Sequence, residues 1–198
     1  MKSEFSFHDV SVERSPTSRS AHTLASHGSV AILFGGEAPA ASSRCTAERL
    51  KDLWTLREYC GQWLWEEKEC TSVFDEDVPT PRSNHACAIT GNHLLIFGGW
   101  HQSGLFPLSA LEILDLSTFC WTHGSTTGCS PPPVGNPTMV IWSSSAYVFG
   151  GWDKIKRHGD VYRLCLKSWH WELLQCGSAD QEERPPGTTD HSAVLWEP

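Results

Sequence analysis

Apolar residues in this chain fall in short unbroken runs rather than at helical spacing. Three of these runs, 30–34, 94–97 and 146–149, stop on the same tripeptide: Phe34-Gly35-Gly36, Phe97-Gly98-Gly99 and Phe149-Gly150-Gly151. An apolar run this short and this continuous fits a strand covered on both faces. The glycine pair fits a close backbone approach at its end. The polar punctuation repeats as well. A proline-rich turn comes first: Pro16-Thr17-Ser18-Arg19-Ser20-Ala21-His22, then Pro79-Thr80-Pro81-Arg82-Ser83-Asn84-His85, then the degraded Pro131-Pro132-Pro133-Val134-Gly135-Asn136-Pro137. A fourth opens at Pro185-Pro186-Gly187-Thr188-Thr189-Asp190-His191. Proline cannot continue a ladder, so these segments separate sheets. A first strand such as 85–89 and a Gly- or Asn-bearing turn lead into each apolar run. A third strand is expected at 52–56, 110–114 and 160–164. Each unit closes on Trp63-Leu64-Trp65, Phe119-Cys120-Trp121 or Trp169-His170-Trp171. Residues two apart on a strand share a face, so each pair is expected to lay two rings on one side of its sheet.

Four short strands per unit with no helical period predict an all-β chain of four-stranded antiparallel sheets. A sheet apolar on both faces is not stable alone. Radial stacking into a β-propeller buries both faces and leaves only short edges. The expected units are repeat 1 at 16–70, repeat 2 at 79–126 and repeat 3 at 131–177. Residues 1–15, with Phe5-Ser6-Phe7, read as the outer strand of an adjacent or incomplete blade, and 185–198 as the first strand of an incomplete fourth repeat. Three whole units do not close a ring. The expectation is therefore a partial propeller: a fragment, a truncated product, or half of a ring that a second chain completes. Its open blade face and unpaired strands would be adhesive.

Composition narrows the function classes. Ten tryptophans among 198 residues, with few charges, argue against disorder. A net charge of −8 argues against nucleic-acid binding, which needs a basic stripe. No window nears the roughly 18 apolar residues of a membrane helix, and the first residues lack a signal-peptide core, so the expected location is the cytosol or the nucleus. The eight cysteines form no Cys-x-x-Cys pair, which removes the usual zinc and redox motifs. Cys70 and Cys176 sit at equivalent repeat positions and read as small apolar fillers.

These motifs resemble the kelch family, whose repeat carries Gly-Gly after the second strand, an aromatic on the third, a tryptophan on the fourth and a Pro-Arg-x-x-x-His-like opening. The resemblance covers essentially the whole chain. Unit three departs by lacking the opening arginine and histidine, and unit two by placing Glu112 where an aromatic is expected. The resemblance implies a kelch-type propeller that presents inter-strand loops to a protein or peptide, as substrate adaptor or scaffold, without a cofactor and without catalysis.

The candidate binding residues lie at two places. Arg19 and Arg82, with Ser83 and Asn84, belong to the opening turns. Two readings of the arginines stay open: hydrogen bonding to nearby carbonyls, or contact with an acidic peptide as in kelch rings that bind one. The repeated His22, His85 and His191 read as turn residues rather than metal ligands. After the glycine pairs come Glu37, Trp100-His101-Gln102, and Trp152-Asp153-Lys154-Ile155-Lys156-Arg157-His158. Trp100 and Trp152 read either as covers for a blade edge or as aromatic platforms. With His101, Asp153, Lys154, Lys156 and Arg157 they form the expected partner surface. No nucleophile elbow, phosphate loop or His-Glu-x-x-His appears. The alternative is a metal-dependent propeller of oxidase or specifier-protein type with its site in other blades. The Glu-x-x-x-Asp-x-x-x-His pattern of specifier proteins begins at Glu48 and Asp52 but meets Leu56 in place of the histidine.

Overall fold

The computed structural model describes residues 15–40, 47–73, 79–102, 107–174 and 185–196. Among these, every regular element is a strand. The first blade has the order β1 (Thr23–His27), β2 (Val30–Phe34), β5 (Leu53–Tyr59) and β6 (Gln62–Lys68), with β3 (Glu37–Ala38) and β4 (Glu48–Arg49) forming a separate clip. The second blade holds β9 (Ala86–Thr90), β10 (His93–Phe97), β12 (Leu111–Asp115) and β13 (Cys120–His123). It is flanked by β7 (Thr71–Ser72), while β8 (Arg82–Ser83) pairs with β11 (Trp100–His101). The third blade holds β15 (Thr138–Trp142), β16 (Ser145–Phe149), β17 (Val161–Cys165) and β18 (His170–Leu174), flanked by β14 (Thr127–Gly128).

The architecture is the expected partial propeller. The first strands β1, β9 and β15 of successive blades lie side by side, as strands around a common axis must. Blades two and three differ from expectation in having five strands. β7 pairs parallel with β13, and β14 with β18, so the segments leaving blades one and two seal the outer edges of blades two and three. An uncovered outer strand would leave a row of backbone N–H and C=O groups unpaired.

The cores lie between blades, not within them. One joins Ile32, Phe34 and Leu53 of blade one to Leu94, Ile96, Leu114 and Trp121 of blade two. The other joins Leu95, Phe97, Leu111 and Ile113 to Met139, Val148, Leu164 and Trp171 of blade three. Trp121 and Trp171 are fully buried and stack on the phenylalanine of the previous Phe-Gly-Gly, with centroids 5.2 and 5.8 Å apart. Each pair still turns two rings to one core: Phe119 packs against the cluster that holds Trp121, and Trp169 against the cluster that holds Trp171. Phe119 (φ 52°) and Trp169 (φ 54°) sit in the left-handed turns before β13 and β18. The first ring of each pair therefore comes from the four-residue hairpin loop and not from the strand itself. The expected strand at 191–196 is also absent, because no described strand lies alongside to complete a ladder. Residues 5–7 lie outside the described part.

Each blade is fastened to the next by the opening turn. Gly99 N–H donates to the Val134 carbonyl, Gly36 N–H to that of Arg82, and Gly151 N–H to that of Thr188. A Cβ on Gly98 (φ +72°) would stand 2.5 Å from the Val134 oxygen. The histidines do more than shape turns. His85 Nε2 shares a 2.8 Å hydrogen bond with the Thr23 hydroxyl and sets its ring edge-on to Phe34. His191 repeats this on Thr138 and Phe149. In unit three the position is Pro137, which packs beside Gly98.

Two predictions follow from these joints. Gly91 also has positive φ but faces open space, so Gly91→Ala is expected to cost about 1–2 kcal/mol for the left-handed backbone. Gly98→Ala is expected to cost at least about twice that, since the joint itself must open. Urea unfolding followed by circular dichroism distinguishes the two. Burial first, then the charge of Arg82, lowers the His85 pKa to about 3. The unfolded chain therefore binds a proton below pH 6.5 that folded His85 refuses. Stability is full above that pH and falls as the pH drops towards 3, by about 2 kcal/mol at pH 5. In His85→Gln, the stability difference between pH 7 and pH 5 is expected to shrink by about that amount.

Candidate partner-binding surface

The opening turns superimpose their roles residue by residue. Ala21, Asn84, Asn136 and Asp190 all adopt left-handed φ, between 53° and 59°. Asn84 N–H donates to the Ala21 carbonyl and Asn136 N–H to the Asn84 carbonyl, linking blades around the axis. Asn136 also donates through Nδ2 to Asp190. Asn and Asp tolerate this backbone region, which is the local reason for their recurrence here.

The structure resolves the two readings of the arginines. Arg82 is 0 % exposed and donates to the Gly98 and Thr80 carbonyls, and its guanidinium lies 2.6 Å from Glu112. Arg19 repeats the geometry, donating to the Gly35 and Thr17 carbonyls and bidentately to Asp52 at 2.6 and 2.7 Å. Both arginines are internal buttresses for the glycine turn of their own blade. Arg82 and Ser83, both buried, are corrected from partner contacts to structural residues, and Arg19 joins them because its guanidinium is consumed. Asn84 is half-buried and its backbone is committed to the axial chain of hydrogen bonds.

The acidic partner changes position between blades. Asp52 precedes β5, with Trp54 in the aromatic slot donating its indole N–H to Asp52 at 2.6 Å. In blade two Ala110 takes the place of Asp52, and Glu112 occupies the aromatic slot and turns its carboxylate to Arg82. Glu112 is thus a compensated exchange. Burial opposes ionisation of Asp52, but hydrogen bonds from Arg19 and Trp54 outweigh it and lower its pKa. At Glu112 burial dominates and raises the carboxyl, against the pull of Arg82.

The residues after the glycine pairs divide differently. Trp100 is buried, its indole N–H donating to Asn136 Oδ1 at 3.2 Å. Gly135 makes room for its ring, because a Cβ there would stand 2.1 Å from Nε1. Trp100 is therefore a wedge between blades two and three and not an open platform. His101 is half-buried, with its backbone paired to Arg82. Trp152 meets Trp100 edge-on at 5.6 Å and keeps 40 % of its surface exposed. Lys154 extends from the same loop to lie 5.3 Å over the Trp100 ring.

The loop from Trp152 to His158 is folded around one carboxylate. Asp153 Oδ1 accepts from the Ile155 and Lys156 N–H groups at 2.8 and 2.7 Å, and Oδ2 lies 2.9 Å from His158 Nε2. The Lys156 N–H, with help from His158 and Ile155, holds the Asp153 carboxyl at about 2. Asp153 is a scaffold of the loop, its oxygens already taken. Lys154, Lys156 and Arg157 are exposed, and Ile155 is 91 % exposed at the tip. Ile155 and His158 were not singled out from sequence. The Asp-x-x-x-x-His spacing carries no general signal, and an isolated isoleucine in a basic loop carries none either.

The Asp52–Glu112 exchange yields a prediction. Glu112→Trp strands Arg82 as a buried unpaired cation and is expected to cost about 3–5 kcal/mol. Adding Ala110→Asp installs the blade-one arrangement and is expected to recover most of that loss in chemical denaturation.

Comparisons with known proteins agree with this geometry. The model of the KLHDC2/KLHL20/DRC7 Kelch-repeats domain matches residues 3–197. The chain is 28% identical over 181 residues to acyl-CoA-binding domain-containing protein 5 of Arabidopsis thaliana, covering 91% of this chain and 25% of that protein. It is 29% identical over 133 residues to N-(sulfonatooxy)prop-2-enimidothioate sulfolyase of Thlaspi arvense, covering 67% of this chain and 36% of the enzyme. The solved structure of YjhT aligns with a TM-score of 0.63 at 15% identity, over 85% of this chain and 55% of that one. The chain thus spans 25% and 36% of these two relatives and 55% of that structure. Interlocked glycine turns, inter-blade tryptophans and a family match across nearly all residues give one conclusion: the chain belongs to the kelch-repeat family.

Proposed function

We propose that this chain is a protein-interaction module whose contact element is the loop at residues 152–158, and that its partner is an acidic segment carrying an apolar anchor. The carrying observation is the combination of exposure and order in that loop. Trp152 and Ile155 present apolar surface beside Lys154, Lys156 and Arg157, while Asp153 and His158 hold the backbone in one shape. A preformed loop loses little entropy on binding, and apolar groups flanked by cations suit a carboxylate-rich peptide with an aromatic or aliphatic residue. Recognition by such a loop needs no covalent step. The cationic cluster stands out on a chain of net charge −8.

The sulfolyase relative raises a second reading, a metal-dependent lyase. Asp52 is committed to Arg19 and Trp54, and Leu56 stands in place of a histidine, so the specifier-type pattern lacks two of its three ligands here. Stoichiometric iron in the purified protein would favour that reading.

The test of the leading reading uses a display library of acidic peptides with one aromatic or aliphatic residue. Selected peptides are expected to lose at least tenfold in affinity to the triple variant Lys154→Ala, Lys156→Ala, Arg157→Ala, with the melting temperature nearly unchanged. Binding should also weaken as salt rises. Selected peptides that bind the triple variant equally well would refute the loop as the contact.

A further inference from the structure

The two clefts between successive blades share one frame but differ in what fills them. In each, the turn aromatic of the following blade forms the floor: Phe119 in the first cleft and Trp169 in the second. The walls come from matching positions on the third and fourth strands of the preceding blade. Strand register equates Thr55 with Ile113, Arg57 with Asp115, Glu66 with Thr122 and Lys68 with Gly124.

In the first cleft the chain supplies its own occupant. Lys68 places its ammonium 5.4 Å over the Phe119 ring and 2.5 Å from Glu66, which Arg57 also approaches at 3.3 Å. The space left is about 190 Å³. In the second cleft that lysine is a glycine and the strap of charges is absent. The space opens to about 450 Å³, lined by Ile113, Asp115, Cys120, His93, His123 and Trp169 among others. This falls within the usual range of ligand pockets, ~300–1,000 Å³.

We propose that the cleft between the second and third blades is a binding site for a lysine side chain of a protein partner. The first cleft shows the frame accepting an ammonium over an aromatic floor. The second cleft keeps the floor and improves it, since an indole attracts a cation more strongly than a phenyl ring. The charge on the wall also reverses, a guanidinium at Arg57 becoming a carboxylate at Asp115. Asp115 uses Oδ1 to accept from the Ser117 hydroxyl and N–H and from the Thr118 N–H, which fixes its orientation. Its Oδ2 lies 4.0 Å from His93 Nε2, the distance of a weak ion pair at most. The Ser117 contacts also lower the Asp115 pKa, so the carboxylate is anionic at neutral pH. An aliphatic stem would lie along Ile113 and Trp169, and its ammonium would reach Asp115 and the indole face. This site and the basic loop after Gly151 are separate surfaces of opposite charge preference.

The test titrates the chain with Nα-acetyl-lysine N-methylamide and with the norleucine analogue, which has no ammonium. The readout is the Trp169 indole N–H in proton–nitrogen correlation spectra, assigned through Trp169→Phe. The lysine probe is expected to shift that signal at least tenfold more tightly than the norleucine probe, leaving the Trp152 indole unmoved. Asp115→Asn keeps the Oδ1 acceptor and is expected to weaken the lysine probe at least tenfold. Gly124→Lys installs the first cleft's own occupant and is expected to abolish the response. Equal shifts with both probes, no shift of Trp169, or a response indifferent to Asp115→Asn would each overturn the site. Should Gly124→Lys fail to fold, the Asp115→Asn titration alone decides.

Discussion

A sheet with apolar residues on both faces must be covered twice, and every joint in this molecule serves that requirement. Blades one and two bury Phe34, Ile96 and Trp121 between them, and blades two and three bury Phe97, Val148 and Trp171. The faces meet closely because the glycine pair lets one backbone touch the next opening turn. Hydrogen bonding from Gly36, Gly99 and Gly151 to that turn sets the distance, and His85 and His191 set the angle through their threonine contacts. Remove the close approach and the tryptophans lose their cover. The loop at residues 152–158 then loses its footing, since Gly151 accepts the His158 N–H through its carbonyl.

The strands, their order and the glycine turns were legible because periodic burial writes directly into periodic apolar runs. What escaped was the meaning of residues whose partners come from another part of the repeat. Arg82 looks like a surface cation in isolation, yet its acid lies at residue 112 and its carbonyl acceptor at Gly98. Trp100 looks like a platform until Gly135, far along the chain, is seen to make space for it. The turn aromatics Phe119 and Trp169 were placed on strands because loop length, not residue type, decides the φ they adopt. Of the proposed contact loop, the cluster Trp152, Lys154, Lys156 and Arg157 is visible in the sequence as a charge anomaly. The Asp153–His158 clasp that shapes it is not.

Variation between repeats separates architecture from recognition. Positions that keep one role in every blade, such as the left-handed residues of the opening turns, hold the stack together. The exchange of Asp52 for Glu112 changes both residues and preserves the buttress, as an architectural site should. By contrast, the cleft position held by Lys68 is simply emptied at Gly124. A change without compensation inside the fold is the kind on which the proposed binding sites rest.

The parallel strands β7 and β14 give the stack a direction. Blades two and three each borrow their outermost strand from the unit synthesised before them. A ribosome emitting this chain therefore delivers the guard strand ahead of the sheet it protects. The fourth strands of blades two and three thus emerge with their outer partner already made, which shortens the interval in which that rim could capture a stranger. The linkers are thus part of the safety of synthesis, and splicing or domain insertion at 71–72 or 127–128 would expose nascent edges that a break elsewhere in the loops would leave covered.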